Sequence, residues 1–142
     1  MPQIELSPGK KAQHTAKWAR TMTKWLVTYS RRNGARWTIV DFGGKTKSES
    51  RGIVDLMAIR KDHRRHTPAL KRGDLFEMVL IQTKGGSAPL PTVEDRVRLA
   101  RVARHHRASM VVLAAWQRAK RLDLFELRRS RWLPVSASEV FG

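Results

Sequence analysis

Hydrophobic residues recur at helical spacing over residues 11–30, where five of them share one face and lysine and arginine residues lie opposite. That face consists of Trp18, Met22, Trp25, Leu26 and Tyr29. We therefore expect a helix over this segment, with the aromatic stripe turned toward the core. Arg31, Arg32 and Asn33-Gly34 come next, and basic residues followed by a glycine are typical of a helix C-terminus.

Three segments with the composition of strands follow. Residues 36–42 (RWTIVDF) are rich in β-branched and aromatic residues, and residues 75–83 (LFEMVLIQT) are largely apolar. Between them, residues 52–60 (GIVDLMAIR) are nearly continuously apolar, which is typical of an interior strand covered on both faces. Asp55 is the single acid in that run, so its carboxylate is a candidate for chemistry.

A second amphipathic helix is predicted over residues 92–107. Thr92 is a suitable N-cap, with Asp95 three residues later, and arginines cover most of the helix circumference. The predicted buried stripe consists of Leu99, Val102, Ala103 and His106. Further strands are predicted over residues 109–116 and 122–127, with a short one around Trp132-Leu133.

The order of these elements is αβββαβ followed by more β structure. It predicts an α/β fold in which a mixed β-sheet lies between helices. The helix at 92–107 would join the third and fourth strands as a parallel crossover. The length of 142 residues fits a single domain over residues 1–142, of which the first ten could be flexible.

Composition narrows the class of protein. The net charge is +17, with 29 Lys and Arg against 12 Asp and Glu, so a polyanion is the expected partner, and nucleic acid is the commonest one. The chain has no cysteine, which excludes disulfides and Cys-ligated metal sites and is compatible with a cytoplasmic location. We find neither a secretory signal pattern nor an apolar run near 18 residues, so no membrane association is expected.

Polar residues at the ends of two predicted strands form the most informative constellation. If the strands at 52–60 and 75–83 pair, Asp55 comes near Gln82, Thr83 and Lys84. A hard cation such as Mg²⁺ prefers oxygen ligands, which the Asp55 carboxylate, the Gln82 side-chain carbonyl and the Thr83 backbone carbonyl could supply. Lys84 could orient a water or stabilise negative charge on an attacked phosphate.

The order of elements, together with GIVDLMAIR, VLIQTKGG and the amphipathic helix that follows, resembles the PD-(D/E)XK nuclease superfamily, especially its Holliday-junction-resolvase-like and Mrr-like branches. The resemblance covers roughly residues 10–127. It implies a restriction-endonuclease-like fold and phosphodiester hydrolysis with Mg²⁺ or Mn²⁺ as cofactor. By position, Asp55 corresponds to the metal-binding acid, Gln82 to the second ligand and Lys84 to the catalytic lysine.

The chain departs from the family pattern at two places. Gln82 stands where an acid is usual, a variant that the Mrr-like branch also shows. Many members carry a glutamate on the first helix that completes the metal site, whereas residues 6–40 here contain no acid. The nearest accessory candidates are His14 on the predicted helix and Glu49 in the loop before the second strand.

The resulting hypothesis is a metal-dependent DNA nuclease, most simply an endonuclease, and the resemblance also allows a homodimer. The expected phosphate contacts come from the first helix, the loop after the second strand and the arginine-rich helix. They are Lys17, Arg60, Arg64, Arg65, Arg96, Arg101 and Arg104. Two alternatives stay open: a nuclease-fold protein that binds nucleic acid with weak or no catalysis, and a basic structural protein of a ribonucleoprotein.

Overall fold

The computed structural model describes residues 8–32, 35–43, 52–64, 67–86, 89–117 and 121–142. The helices in these residues are α1 (Pro8–Thr28), α2 (Val93–His106) and the short α3 (Ala137–Val140). The strands are β1 (Arg31–Arg32), β2 (Ala35–Arg36), β3 (Thr38–Asp41), β4 (Leu56–Lys61), β5 (Phe76–Gly85), β6 (Met110–Gln117), β7 (Arg121–Arg128) and β8 (Arg131–Val135).

Six of the strands form one mixed sheet in the order β3-β4-β5-β6-β7-β8. Strands β5 and β6 are parallel, and every other neighbouring pair in this sheet is antiparallel. Helix α2 joins the two parallel strands, because a parallel pair needs a crossover connection. The predicted α/β class, the mixed sheet and the crossover are therefore confirmed.

The sheet buries apolar side chains on both faces. Val79 and Ile81 of β5 pack in a cluster with Val27 of α1, whereas Leu80 packs with Leu99 of α2. Because alternate residues of a strand point to opposite faces, α1 and α2 cover opposite sides of the sheet. None of the helices in the described part of the chain is long and apolar enough to cross a membrane.

The face that α1 turns toward the sheet differs from the predicted aromatic stripe. Ala19, Thr23 and Val27 are buried, whereas the side chains of Trp25 and Tyr29 are largely exposed. Small residues let the helix backbone approach the sheet closely, and the bulky aromatic residues then lie at the sides of the contact. The prediction of the helix was right, and Leu26 of the predicted stripe does pack against the core. The prediction was wrong for Trp25 and Tyr29.

Helix α2 follows its prediction closely. Thr92 Oγ1 accepts the Asp95 N–H and the Asp95 carboxylate accepts the Thr92 N–H, so the predicted capping box is present. Leu99 is fully buried, but His106 at the end of the predicted stripe is exposed.

Three short elements were not predicted. Strands β1 and β2 pair antiparallel around residues 33–34, and an Asn-Gly dipeptide is a hairpin signal as well as a helix stop. Helix α3 begins after Ser136, whose side chain accepts the Glu139 N–H in a second capping box.

A buried ion pair ties the sheet to the end of the chain. Arg60 Nε donates to Glu77 Oε2 at 2.7 Å, and its guanidinium also donates to the carbonyls of Phe141 and Gly142. The same group lies 4.0 Å from the ring centroid of Trp37. Arg60 is only 4% exposed, so the prediction that it contacts DNA phosphate was wrong. The side chains of a strand alternate between its two faces, and Arg60 lies on the buried face of β4.

Replacing Arg60 by methionine should destabilise the fold by about 3 kcal/mol, because it removes the buried partner of Glu77. Urea unfolding of both proteins measures the difference. The control is Arg64→Met: Arg64 also pairs with Glu77, but its side chain is 46% exposed, and we expect a loss below about 1 kcal/mol. Equal losses for the two variants would contradict the structural role of the Arg60 pair.

Candidate metal and nucleic-acid site

Asp55 lies immediately before β4, where β4 and β5 stop pairing. Its carboxylate oxygen Oδ2 accepts the Thr83 backbone N–H at 2.8 Å and lies 3.3 Å from the Thr83 hydroxyl. The N–H that would otherwise continue the ladder is thus bonded to a side chain. A residue in a β-strand directs its N–H and its C=O to the same side of the strand, so the Thr83 carbonyl also points toward the edge of β5 that Asp55 faces. We call this place the Asp55 opening.

The predicted strand at 52–60 therefore begins later than expected, at Leu56. The four preceding residues include Ile53, whose carbonyl lies 3.5 Å from Gln82 Nε2. Asp55 keeps two backbone hydrogen bonds to the sheet, since its N–H donates to the Ile81 carbonyl and its carbonyl accepts the Phe42 N–H. Asp55 and Leu56 thus both lie opposite Ile81, as in a β-bulge, and the regular pairing of β4 with β5 ends there. This departure from regular pairing is what makes room for the Asp55 side chain.

Cations from α1 reach the same opening. Arg20 Nη2 lies 3.7 Å from Asp55 Oδ1, and Arg20 Nη1 lies 3.4 Å from Asp41 Oδ1. Lys24, one helical turn later, pairs with the other oxygen of Asp41. A side chain at Gly43 would collide with the Arg20 guanidinium, because an added Cβ would lie 1.5 Å from Arg20 Nη1. Glycine at this position lets Arg20 lie between the two carboxylates.

The two carboxylates respond oppositely to their surroundings. Burial raises the pKa of Asp55, and the Thr83 hydrogen bonds and the Arg20 charge offset this only in part. Partial burial also acts to raise the pKa of Asp41, but hydrogen bonds from Lys24 and the Gly43 N–H and the charges of Arg20 and Lys24 outweigh it, so the Asp41 pKa is lowered. Nearby cations and hydrogen bonds thus fully compensate the negative charge of Asp41, whereas they compensate that of Asp55 only in part.

The other two residues of the predicted site, Gln82 and Lys84, lie two positions apart in β5, on either side of Thr83. Gln82 and Lys84 share the face that α2 covers, since Leu80 of the same alternating set packs there. Gln82 Oε1 is buried and accepts no hydrogen bond from the described residues. Lys84 Nζ donates to the Gly86 carbonyl at 2.8 Å. The structure thus brings Asp55 into contact with Thr83, while Lys84 makes its hydrogen bond elsewhere.

The oxygen donors at this opening suit a hard cation in chemistry, although their negative charge is low. Among the described residues, Asp55 Oδ1 has only the long Arg20 contact, and the Thr83 carbonyl points to the same side of β5. Gln82 Oε1 is a buried acceptor without a donor in the described part of the chain, but it lies on the face that α2 covers, whereas Asp55 contacts Arg20 of α1. Among the described residues, no group of three His, Asp or Glu side chains could hold a metal. Any ion here would depend on Asp55 for protein charge and would keep several waters.

The predicted phosphate contacts differ in how accessible they are. Lys17, Arg101 and Arg104 are exposed. Arg96 is half-buried and donates to the Pro91 carbonyl, and Arg64 is paired with Asp62 and Glu77. Arg65 and Glu49 lie outside the described residues, as does the side chain of His14, whose backbone belongs to α1.

Sequence reasoning missed Arg20, the residue through which α1 reaches Asp55. The family pattern predicts an acid on the first helix, and a cation on the basic face of that helix resembles any other solvent-exposed cation. The spacing of Arg20 and Lys24 at i and i+4 was visible, but their partner carboxylates belong to strands far along the chain. Only the packing of α1 on the sheet shows that pairing.

Comparison with known proteins adds no assignment to this geometry. No protein-family model matches the chain, and no curated protein sequence matches it.

The opposite pKa directions predict opposite effects of two amide substitutions. Because the folded-state pKa of Asp55 is raised, the parent loses stability relative to Asp55→Asn as pH rises from about 4 to about 7. Because the pKa of Asp41 is lowered, its charged form stabilises the fold above its ordinary pKa, and this contribution is lost as pH falls below about 4. Asp41→Asn should therefore be less stable than the parent at neutral pH, and the difference should shrink as pH falls from about 4 toward about 2.

Chemical denaturation without divalent metal at several pH values measures both differences. A stability difference for Asp55→Asn that stays flat from about pH 4 to about pH 7 would show that burial does not penalise the Asp55 carboxylate.

Proposed function

We propose that the protein is a metal-dependent DNA nuclease with a restriction-endonuclease-like PD-(D/E)XK fold, in which Asp55 is the central metal-binding acid. The single observation that carries the proposal is the position of the Asp55 carboxylate against Thr83, at the point where the regular pairing of β4 with β5 ends. Gln82 and Lys84 lie on either side of Thr83 in β5, which is the spacing that the family resemblance requires.

The connectivity of the sheet supports this proposal. Helix α1 precedes an antiparallel β3-β4-β5 meander, and α2 then leads to β6, parallel to β5. This is the αβββαβ order on which the resemblance rests. Strands β7 and β8 extend the sheet beyond that core.

The chain's own groups would have separate tasks. Asp55, Gln82 and the Thr83 carbonyl would hold Mg²⁺ or Mn²⁺ through oxygen. When bound, the ion supplies charge neutralisation at the attacked phosphate and lowers the pKa of a bound water. Lys84 would leave the Gly86 carbonyl, a contact within its own strand end, and place its ammonium beside the phosphate. The exposed cations of α1 and α2 would hold the nucleic-acid backbone.

Asp55→Ala should reduce cleavage of plasmid DNA in Mg²⁺ by at least about a hundredfold, because Asp55 is the charged member of the proposed ligand set of Asp55, Gln82 and the Thr83 carbonyl. DNA affinity measured in EDTA should stay within about twofold of the parent or increase slightly, since a negative charge is lost. Asp123→Ala is the matched control, because Asp123 pairs with exposed Arg121 at the start of β7. Parent-like cleavage by a purified Asp55→Ala protein free of contaminating nuclease would remove the proposed site.

A second candidate function is nucleic-acid binding without cleavage, and one observation favours it. Arg20 already supplies positive charge to Asp55 from the first helix, the element on which the family pattern has a glutamate. A cation at that place competes with a metal ion instead of helping to bind it. In this second function Asp55 is a structural acid that accepts the Thr83 N–H.

Arg20→Met separates the two functions. If Asp55 binds metal, removing a positive charge about 4 Å from its carboxylate should tighten Mn²⁺ binding by about 1 kcal/mol, or roughly fivefold. Isothermal titration calorimetry and the metal-induced shift in melting temperature both report this without any cleavage assay. Lys17→Met is the control, since Lys17 is an exposed cation of the same helix. Absence of Mn²⁺ binding in both the parent and Arg20→Met would favour the binding-only function.

A further inference from the structure

A groove with a basic rim lies between α2 and the turn that joins β7 to β8. Its volume is about 370 Å³, and its floor and walls include the small residues Ala100, Ala103, Ala108 and Ser109. Arg104 of α2 and Arg129 of the turn also line it. Small side chains leave room for another molecule's backbone to come close, and the two arginines place positive charge on both sides of that space.

This groove is separate from the Asp55 opening. Asp55 lies beside the end of β5, which is level with Leu113 and Ala114 of β6. The β7–β8 turn lies beyond Glu126, which pairs with Val112 near the other end of β6. The turn is also three strands across the sheet from β4. Strands lie roughly 4.8 Å apart, so the two places are separated by about 14 Å across the sheet alone.

The positive charge around the groove has little compensation. Residues 96–122 contain no acid, and within the described structure Arg104, Arg129 and Arg131 lie within 4 Å of no carboxylate. Glu126 does line the groove, but it pairs with Arg128 at 3.1 Å. The groove therefore presents net positive charge to solvent.

The backbone of the turn gives a second indication. Arg128 and Arg131 pair at the end of the hairpin, and the two residues between them, Arg129 and Ser130, have φ angles of 48° and 64°. Two-residue turns in which both residues have positive φ angles strongly favour the sequence Asn-Gly, because most other residues are strained in the left-handed region. An arginine at such a position carries a conformational cost, which points to a functional use of its side chain.

We infer that the groove between α2 and the β7–β8 turn is a second binding surface for the sugar-phosphate backbone of a nucleic-acid strand. The inference rests on the DNA-binding part of the proposed function and extends it to residues of the hairpin. Arg104 and Arg129 contact phosphates from opposite sides, and Arg131 extends the surface along β8.

The test replaces the strained turn with a favourable one. Arg129→Asn combined with Ser130→Gly creates the preferred turn sequence, so the melting temperature should stay the same or rise. Affinity for a short fluorescent DNA duplex, measured by anisotropy in EDTA, should fall about fivefold. The salt slope of log affinity should fall by about 0.9 for each phosphate that the variant no longer neutralises. A gain in stability with weaker DNA binding cannot be explained by damage to the fold.

Two control variants accompany it. Ser130→Gly alone relaxes the turn but keeps Arg129, so its DNA affinity should equal that of the parent. Arg36→Ala removes one exposed arginine beside β3, at the opposite edge of the sheet, and should leave the affinity within about twofold and the slope unchanged. Arg104→Ala should reproduce the weakening seen with the Arg129 variant from the other side of the groove.

Measuring all variants in the Asp55→Ala background separates this inference from the nuclease proposal. If the Arg129 and Arg104 substitutions weaken DNA binding in the Asp55→Ala background, the groove binds nucleic acid even if the parent cleaves no DNA. Unchanged DNA affinity and salt slope in the Arg129→Asn/Ser130→Gly variant overturn the inference. It is also overturned if that variant binds DNA like the parent but no longer binds phosphatidylserine vesicles, because the groove would then recognise a lipid surface.

Discussion

The carboxylate of Asp55 accepts the backbone N–H of Thr83, and this hydrogen bond takes the place of a regular ladder bond just beyond the Leu56–Ile81 pair. Without it, the Thr83 N–H would face the end of the sheet unpaired, at a cost in stability. The bond also holds Asp55 in a place where burial raises its pKa. Local backbone geometry and the chemistry of the site are therefore set by the same contact, which makes Asp55 both structural and available for function.

The scarcity of acids determines how the chain uses its charge. Asp62 and Glu77 are buried and compensated by Arg60 and Arg64, and Asp41 is compensated by cations of α1. Most acids that pack within the fold are thus already paired, and the excess cations lie on the surface. A positive field results from this arrangement whether or not the protein cleaves its partner.

The order of elements along the chain and α2 were predictable because they follow from local patterns, namely apolar strands and a capping box at Thr92. The burial of Arg60 was not, because the sequence shows a basic residue at a strand end but not the Glu77 opposite it. The α1 face was mispredicted for a related reason. Hydrophobicity ranks Trp25 above Ala19, yet close packing against a sheet favours the smaller side chain. Arg20 was missed because its partners are set by tertiary contact alone.

Arg20 lies between two carboxylates that compete for its charge. Asp41 also has Lys24, so Asp41 can remain charged if Arg20 moves away. Asp55 has no second cation among the described residues, and its partly buried carboxylate then favours either a proton or a metal ion. If the Arg20 guanidinium moved fully to Asp41, the Asp41 carboxylate would keep its compensating charge. Asp55 Oδ1 would then be open to a cation from solution. The asymmetry in compensation makes Asp55, and not Asp41, the carboxylate at which an added ion would have the larger effect.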